Sequence, residues 1–272
     1  MSSDRDLDAY FSRIHYDGPR EPTLPVLHAL TAAHAQSVPF ENLDALLGRR
    51  IHLQPDALID KLVRQRRGGY CFEQNGLFLH VLQQLGFQVA PLSARVRLDR
   101  PREFIPARTH LFLRVELGGE SWLTDVGVGA LSLTCAIRLV TDTEQSTPHE
   151  TRRLIREGGR FFQQALLGND WIDVYDFTLE EMPLIDREVG NWFTSTHPDS
   201  HFKNRLVVAR AAPDGVRIAL LNDVLSIRQR DGTAEKRPIH SPDELLDVLA
   251  EHFQLRFPPG TRFGPQGSPS AA

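Results

Sequence analysis

Cys71, His110 and Asp125 supply a thiol nucleophile, a base and a carboxylate that can orient the base, the three groups that thiol-dependent group transfer needs. The stretch around the cysteine, Arg66-Arg67-Gly68-Gly69-Tyr70-Cys71-Phe72-Glu73-Gln74-Asn75, is the densest signal in the chain. Two adjacent glycines let the backbone turn sharply and approach its surroundings closely. A cysteine in the first turn of the helix that follows would feel the positive end of the helix dipole and unpaired N–H groups, which favour thiolate over thiol and can stabilise an oxyanion. The alternative for Cys71 is a buried small hydrophobe.

His110 opens an alternating segment, His110–Leu117, and Asp125 closes the next, Ser121–Val126, across a Gly118-Gly119 turn. Counting outward from a tight hairpin pairs Leu117 with Glu120 and sets Gly127 opposite His110, leaving Asp125 as a diagonal neighbour on the same sheet face. The remaining histidines lack a partner motif and read as surface or satisfied core residues. Cys135, in the apolar stretch 131–140, reads as structural.

Three kinds of periodicity must position these residues. Up to Gly86 the pattern is helical: Leu7, Tyr10, Phe11 and Ile14; Leu24, Leu27 and Leu30; Leu58, Ile59, Leu62 and Val63; then Cys71 through Leu85, with Gly86 as a left-handed stop. From residue 87 to 190 the chain switches to short strands joined by Gly118-Gly119 and Gly158-Gly159, which predicts a small antiparallel barrel. Residues 191–257 are mixed, with strands near 206–210, 216–221 and 224–228 and a capping box at Ser241–Glu244 opening a helix through Phe253. The Gly-, Pro- and Ser-rich segment 258–272 is expected to be a disordered tail.

Composition narrows the function. A net charge of −4 provides no footprint for nucleic acid or an anionic membrane. No apolar run is long enough to span a bilayer, and the polar start Met1–Asp6 precedes no hydrophobic signal core, so a cytoplasmic location is expected. Two cysteines are too few for a disulfide framework. No Cys-x-x-Cys, His-x-x-x-His or spaced carboxylate set suggests a metal, and no Walker-type or dinucleotide glycine fingerprint occurs.

The chain resembles the arylamine N-acetyltransferase family in Val38-Pro39-Phe40-Glu41-Asn42-Leu43, Arg67–Asn75, Thr109-His110-Leu111, Asp125-Val126-Gly127-Val128-Gly129 and Asn191–Pro198, in that order. The resemblance implies an α+β fold with a helical bundle (1–86), an antiparallel β-barrel (87–190) and an α/β lid (191–257) around a cysteine-proteinase-like catalytic core. It also implies acetyl-CoA as donor and ping-pong transfer through an acetyl thioester on Cys71, with His110 as base and acid and Asp125 holding its ring. The acceptors would be small arylamines and arylhydrazines, and N-hydroxyarylamines for O-acetylation. Phe40 and Phe202 are candidate walls of the acceptor pocket, and Gly127, Thr194, Ser195 and Thr196 are assigned to the CoA cleft from motif position. The family commonly has Phe where this chain has Val128, so a wider acceptor pocket is expected. An amide synthase of biosynthesis and a cysteine hydrolase are the competing readings, because both use the same three residues.

Overall fold

The computed structural model describes residues 4–98 and 100–264. Helices α1 (Asp4–Arg13), α2 (Leu24–Ser37) and α5 (Cys71–Gln84) form the first layer, with two single-turn helices, α3 (Leu43–Leu46) and α4 (Pro55–Leu58), between them. The chain does not leave α4 at Leu58. It widens into a π turn, Ile59–Arg64, so the apolar run starting at Leu58 is one continuous but irregular helix. Tyr10, Phe11, Leu27, Leu30, Leu62, Phe78 and Leu82 fill the core between these elements, as the helical spacing predicts. Gly86 stands at φ +83°, the left-handed conformation that ends α5.

The second layer is a seven-stranded antiparallel sheet in the order β5-β4-β3-β2-β8-β7-β6. Its strands are β2 (Gln88–Val96), β3 (His110–Leu117), β4 (Glu120–Thr124), β5 (Ile137–Arg138), β6 (Arg152–Glu157), β7 (Arg160–Leu167) and β8 (Asp170–Glu181). Bridges Thr141↔Leu154 and Gln145↔Arg152 tie the chain after β5 to β6, so the sheet is nearly closed into a barrel. Both glycine turns fall where expected: Leu117 pairs with Glu120 and Glu157 with Arg160, with positive φ at each glycine between them. Phe112, Leu123, Leu154, Val174, Tyr175 and Phe177 pack inside.

The third layer is a five-stranded antiparallel sheet, β1-β9-β10-β11-β12, with α8 (Pro242–Phe253) packed against it. It follows α6 (Leu184–Thr196) and α7 (His201–Asn204), and its strands are β9 (Val207–Ala211), β10 (Arg217–Leu221), β11 (Val224–Arg228) and β12 (Ala234–Pro238). Two strands escape the periodicity. β12, Ala-Glu-Lys-Arg-Pro, is an exposed polar edge. β1 (Phe40–Glu41) comes from the helical region and pairs with Ala209 and Val208 of β9, so this sheet is not built from residues after 191 alone. The expected tail needs correction over its first half. Phe263 is buried edge-on against Phe257, so the chain packs at least that far; 265–272 lie outside the described residues.

His34 ties α2 to α5. The amide of Gln74 donates to the carbonyls of Pro39 (2.8 Å) and Val38 (3.2 Å), so its Oε1, 2.6 Å from His34 Nε2, must accept. The proton is therefore on Nε2, and Nδ1 accepts from the Tyr10 hydroxyl at 2.8 Å. Burial pushes this ring down to about 4 from an ordinary 6.5. Over that interval the unfolded chain binds a proton that the folded one refuses, so stability falls with pH, by about 2 kcal/mol between pH 6.5 and 5 for this one group. Glu73 works the other way, being raised from 4.5 to about 7. The informative measurement is thus the gap in urea unfolding free energy between wild type and His34→Gln. The gap should narrow by about 2 kcal/mol on going from pH 6.5 to 5; a constant gap would contradict the neutral-ring assignment.

Candidate active site

The turn before Cys71 requires both glycines. A Cβ at Gly68 would lie 2.1 Å from the Pro39 carbonyl oxygen, and one at Gly69 would lie 2.7 Å from Glu73 Oε2. Glycine at both positions lets the loop lie beside β1, with Gly69 N–H donating to Pro39 O and Glu41 N–H donating to Gly69 O. Tyr70 then caps α5 with extended backbone, and Cys71 is the first helical residue. Glu73 folds back to accept the Tyr70 N–H at 3.1 Å, which fixes the angle at which the helix starts.

Cys71 is 4% exposed, and its Sγ lies 3.5 Å from the Thr109 carbonyl oxygen at the entry to β3. His110 begins β3, and its Nε2 lies 2.7 Å from Asp125 Oδ2. That bond occupies one ring nitrogen and leaves Nδ1 free of Asp125, while the nearby Cys71 sulfur adds to the ring's hold on a proton. Burial opposes charge on this imidazole, but the Asp125 carboxylate, its hydrogen bond and the adjacent sulfur outweigh it and raise the ring to about 10. The start of α5, the start of β3 and the residue after β4 thus bring Cys71, His110 and Asp125 into one neighbourhood.

Asp125 is fully buried and well supplied with donors: His110, Asn75 Nδ2 at 2.9 Å and Gly127 N–H at 2.9 Å on Oδ1. Asn75, one turn after Cys71, also donates to Leu111 O (2.7 Å) and accepts from Val126 N–H (3.1 Å), so one amide joins α5 to both ends of the hairpin. The Tyr175 ring packs 5.3 Å from the His110 ring and 5.1 Å from Phe112, closing the barrel side. Asn75 and Tyr175 were not singled out from sequence. The clue for Asn75 was a polar run, Glu73-Gln74-Asn75, inside an otherwise apolar helix; Tyr175 gave none.

The candidate pocket residues separate. Phe40 and Phe202 lie 5.8 Å apart, Phe202 meets Tyr70 edge-on at 5.6 Å, and all three belong to the apolar cluster that contains Cys71. Val128 packs instead on the barrel core, while Ala130 is the loop residue that joins the Cys71 cluster. Between them, Gly129 lies against the Phe40 ring, where a Cβ would be 3.7 Å away. Gly127 abuts α5: a Cβ there would come 2.9 Å from Cys71 Cα and 2.7 Å from Asn75 Nδ2. Thr194, Ser195 and Thr196 sit at the end of α6, where Ser195 and Thr196 hydroxyls donate to Asn191 O and Trp192 O. Ser195 and Thr196 line a cavity of about 470 Å³ with Arg49, Arg50, His52 and Trp192, and Asn191 in its wall holds the Tyr70 hydroxyl. Cys135 is partly buried, which pushes its thiol up to about 11 and accords with an inert role. Among the described residues no His, Cys, Asp and Glu group is arranged to hold a metal, and no helix is long and apolar enough to cross a membrane.

A helix bearing a cysteine at its first residue, docked on a barrel that presents a His–Asp pair, defines a cysteine-proteinase-like α+β core. Residues 23–260 match the family model described as N-acetyltransferase. The arylamine N-acetyltransferase of Escherichia coli K12 is 41% identical over 92% of this chain and 88% of its own, and that of Mycolicibacterium smegmatis 44% over 92% of each. The Salmonella typhimurium relative, an arylamine N-acetyltransferase / N-hydroxyarylamine O-acetyltransferase, is 39% identical over 92% of this chain and 88% of its own. The solved Mycobacterium marinum arylamine N-acetyltransferase in complex with CoA superposes with a TM-score of 0.88, at 41% identity, over 91% of this chain and 92% of that one. This chain belongs to the arylamine N-acetyltransferase family.

The seam between α5 and the hairpin is tight enough to be tested by one methyl group. Gly127→Ala should cost about 1–3 kcal/mol in unfolding free energy through overpacking against Cys71 Cα. Asn75→Ala should cost about 2 kcal/mol or more, because it strips partners from Asp125 and the Val126 N–H. Denaturant melts of both variants check this, and unchanged midpoints would refute the close approach.

Proposed function

We propose that this protein transfers acetyl groups from acetyl-CoA to aromatic amines, with Cys71 as nucleophile, His110 as base and acid, and Asp125 as the group that orients the imidazole. The observation that carries the reading is the His110 ring fixed by Asp125 at 2.7 Å, with the Cys71 sulfur 3.5 Å from the carbonyl oxygen of Thr109, the residue just before it. An imidazole that keeps its proton at neutral pH, beside a sulfur at the start of a helix, favours the thiolate–imidazolium pair.

In the first half-reaction the sulfur of Cys71 attacks the acetyl carbonyl, the C–S bond to CoA breaks, and the departing CoA thiolate takes a proton from His110. In the second, the aryl nitrogen attacks the acetyl-cysteine, His110 accepts the amine proton, and the C–S bond to Cys71 breaks to regenerate the thiolate. Exchange of one thioester for another is close to thermoneutral, so the protein mainly supplies position and charge stabilisation. Arylamine nitrogens are uncharged at neutral pH and enter apolar surroundings at little cost. Phe40, Phe202 and Tyr70 beside the sulfur suit a flat aromatic acceptor. The near-complete enclosure of Cys71 also limits water, which favours transfer to an amine over hydrolysis. Arylhydrazines offer an equivalent neutral nitrogen, and N-hydroxyarylamines an oxygen in the same place.

The acyl-enzyme is directly observable. Mixing protein with acetyl-CoA and no amine should add one acetyl group by intact mass, and Cys71→Ala should abolish it. His110→Ala should slow its formation by roughly 10²–10⁴-fold, with Asp125→Asn slowed in the same direction. An adduct that survives in Cys71→Ala would end the thioester reading. Adding an aryl amine should then release the acetyl group as anilide, whereas release as acetate alone would point to hydrolysis.

Val128 packs one side on the barrel core but is only half-buried and sits one residue before the glycine on which Phe40 rests, and we read its remaining exposed side as reaching the outer rim of the acceptor pocket. Val128→Phe should lower turnover of bulky para-substituted anilines about tenfold relative to aniline, since losing room for one or two methylenes is worth roughly 1–3 kcal/mol. An unaltered size preference across the series would remove Val128 from the pocket.

A further inference from the structure

Beneath the start of α5 lies a buried group of charges that the acylation scheme does not use. Lys61, on the π turn, places Nζ 2.6 Å from Glu73 Oε1 and 2.7 Å from Asp44 Oδ2 on α3. Glu41 on β1 binds Arg67 at 2.7 Å, and Arg67 also reaches Asp44 at 3.1 Å; Arg49 touches Asp44 from the surface at 3.4 Å. Three carboxylates, Glu41, Asp44 and Glu73, thus share two enclosed cations, Lys61 and Arg67. The shortage falls on Glu73: burial, Glu41 and Asp44 push it up to about 7, while Lys61 alone pulls it down.

Glu73 is in the same helical turn as Cys71, two residues on. A carboxylate there satisfies the Tyr70 N–H, but as a bare charge it would compete with the sulfur for the positive end of the helix. Among the described residues, the other charged or titratable groups around Cys71 are His110 on β3, Asp125 behind it just after β4, and Tyr70, whose hydroxyl is turned to Asn191. None of these offsets Glu73. Among the described residues only Lys61 contacts the Glu73 carboxylate as a cation.

We infer that Lys61 is a positioning residue for acyl transfer: by neutralising Glu73 it keeps the start of α5 able to favour negative charge on the Cys71 sulfur. The inference rests on Cys71 being the nucleophile. It assigns Glu73 the geometric task of holding the helix start and Lys61 the electrostatic task of cancelling the charge this introduces. A purely structural ion pair would need only that both partners be present or both absent.

The test is the pH profile of Cys71 alkylation by iodoacetamide, followed by peptide mass from about pH 5 to pH 10. Cys135, whose thiol burial pushes up to about 11, serves as the slow internal reference. Lys61→Met leaves Glu73 without its cation, so that above the pH at which this carboxyl ionises it is an uncompensated negative charge, and there the profile should lie at higher pH by about one unit. Glu73→Gln keeps an oxygen for the Tyr70 N–H while removing the charge, and its profile should move to lower pH. Lys61→Met/Glu73→Gln restores the wild-type charge balance and should return close to the wild-type profile. An unmoved profile in Glu73→Gln, or equal displacement of Lys61→Met and the double variant, overturns the inference. Should Lys61→Met not fold, Glu73→Gln decides alone. A wild-type protein that alkylates at Cys71 but forms no acetyl adduct from acetyl-CoA would instead overturn the acylation reading, without touching the charge argument.

Discussion

The rest of the site depends on how closely the first turn of α5 approaches the end of the β3–β4 hairpin. Cys71 can meet His110 only if the helix start and the strand ends touch with no side chain between them. Gly127 provides that contact by lying directly on Cys71 Cα. Asn75 then locks it, because its amide spends both donor and acceptor capacity on the two strands and on Asp125. The His–Asp pair belongs to the barrel and the sulfur to the helical layer, so the chemistry exists only in the docked arrangement.

Docking of this kind buries polar groups, and each must find a partner. Much of the unusual sequence around Cys71 answers to this demand. Gln74 and Asn75 are both fully buried, Gln74 serving His34 and the Pro39 turn while Asn75 serves the hairpin. Glu73 serves the Tyr70 N–H and draws Lys61 in after it. The Gly68-Gly69 turn avoids the Pro39 carbonyl and the Glu73 side chain. The motif thus describes a helix start that must be polar in one turn and apolar afterwards.

The third layer closes the site from the opposite side. β1 hands Phe40 from the helical region to the sheet of the lid, and Phe202 on α7 meets it there. A second ion cluster joins the lid to the barrel: Glu150 receives Arg152 of β6 together with Arg217 and Arg228 of β10 and β11. Those arginines hold its carboxyl far below the usual range despite its burial. His149 adds a bond from Nε2 to the Ala212 carbonyl at 3.0 Å. The lid is therefore fastened on two sides, by a strand near Cys71 and by charge at the far end.

The sequence by itself determined the local elements. The helix period, the glycine stops and the Gly-Gly turns placed α5 and both barrel hairpins nearly to the residue, because period, φ and turn geometry are local properties. It also placed Cys71, His110 and Asp125 at a helix start and at strand ends. Tertiary structure decided what no local period encodes. It recruited Phe40 and Glu41 into the lid sheet, set Phe263 edge-on against Phe257, and put Val128 on the barrel core with Gly129 against Phe40. It brought Lys61, Asp44 and Glu41 under Glu73 from three separate segments. Contacts between segments far apart in the chain follow from which surfaces pack together, and charge compensation in a buried cluster has no spacing that a single sequence displays.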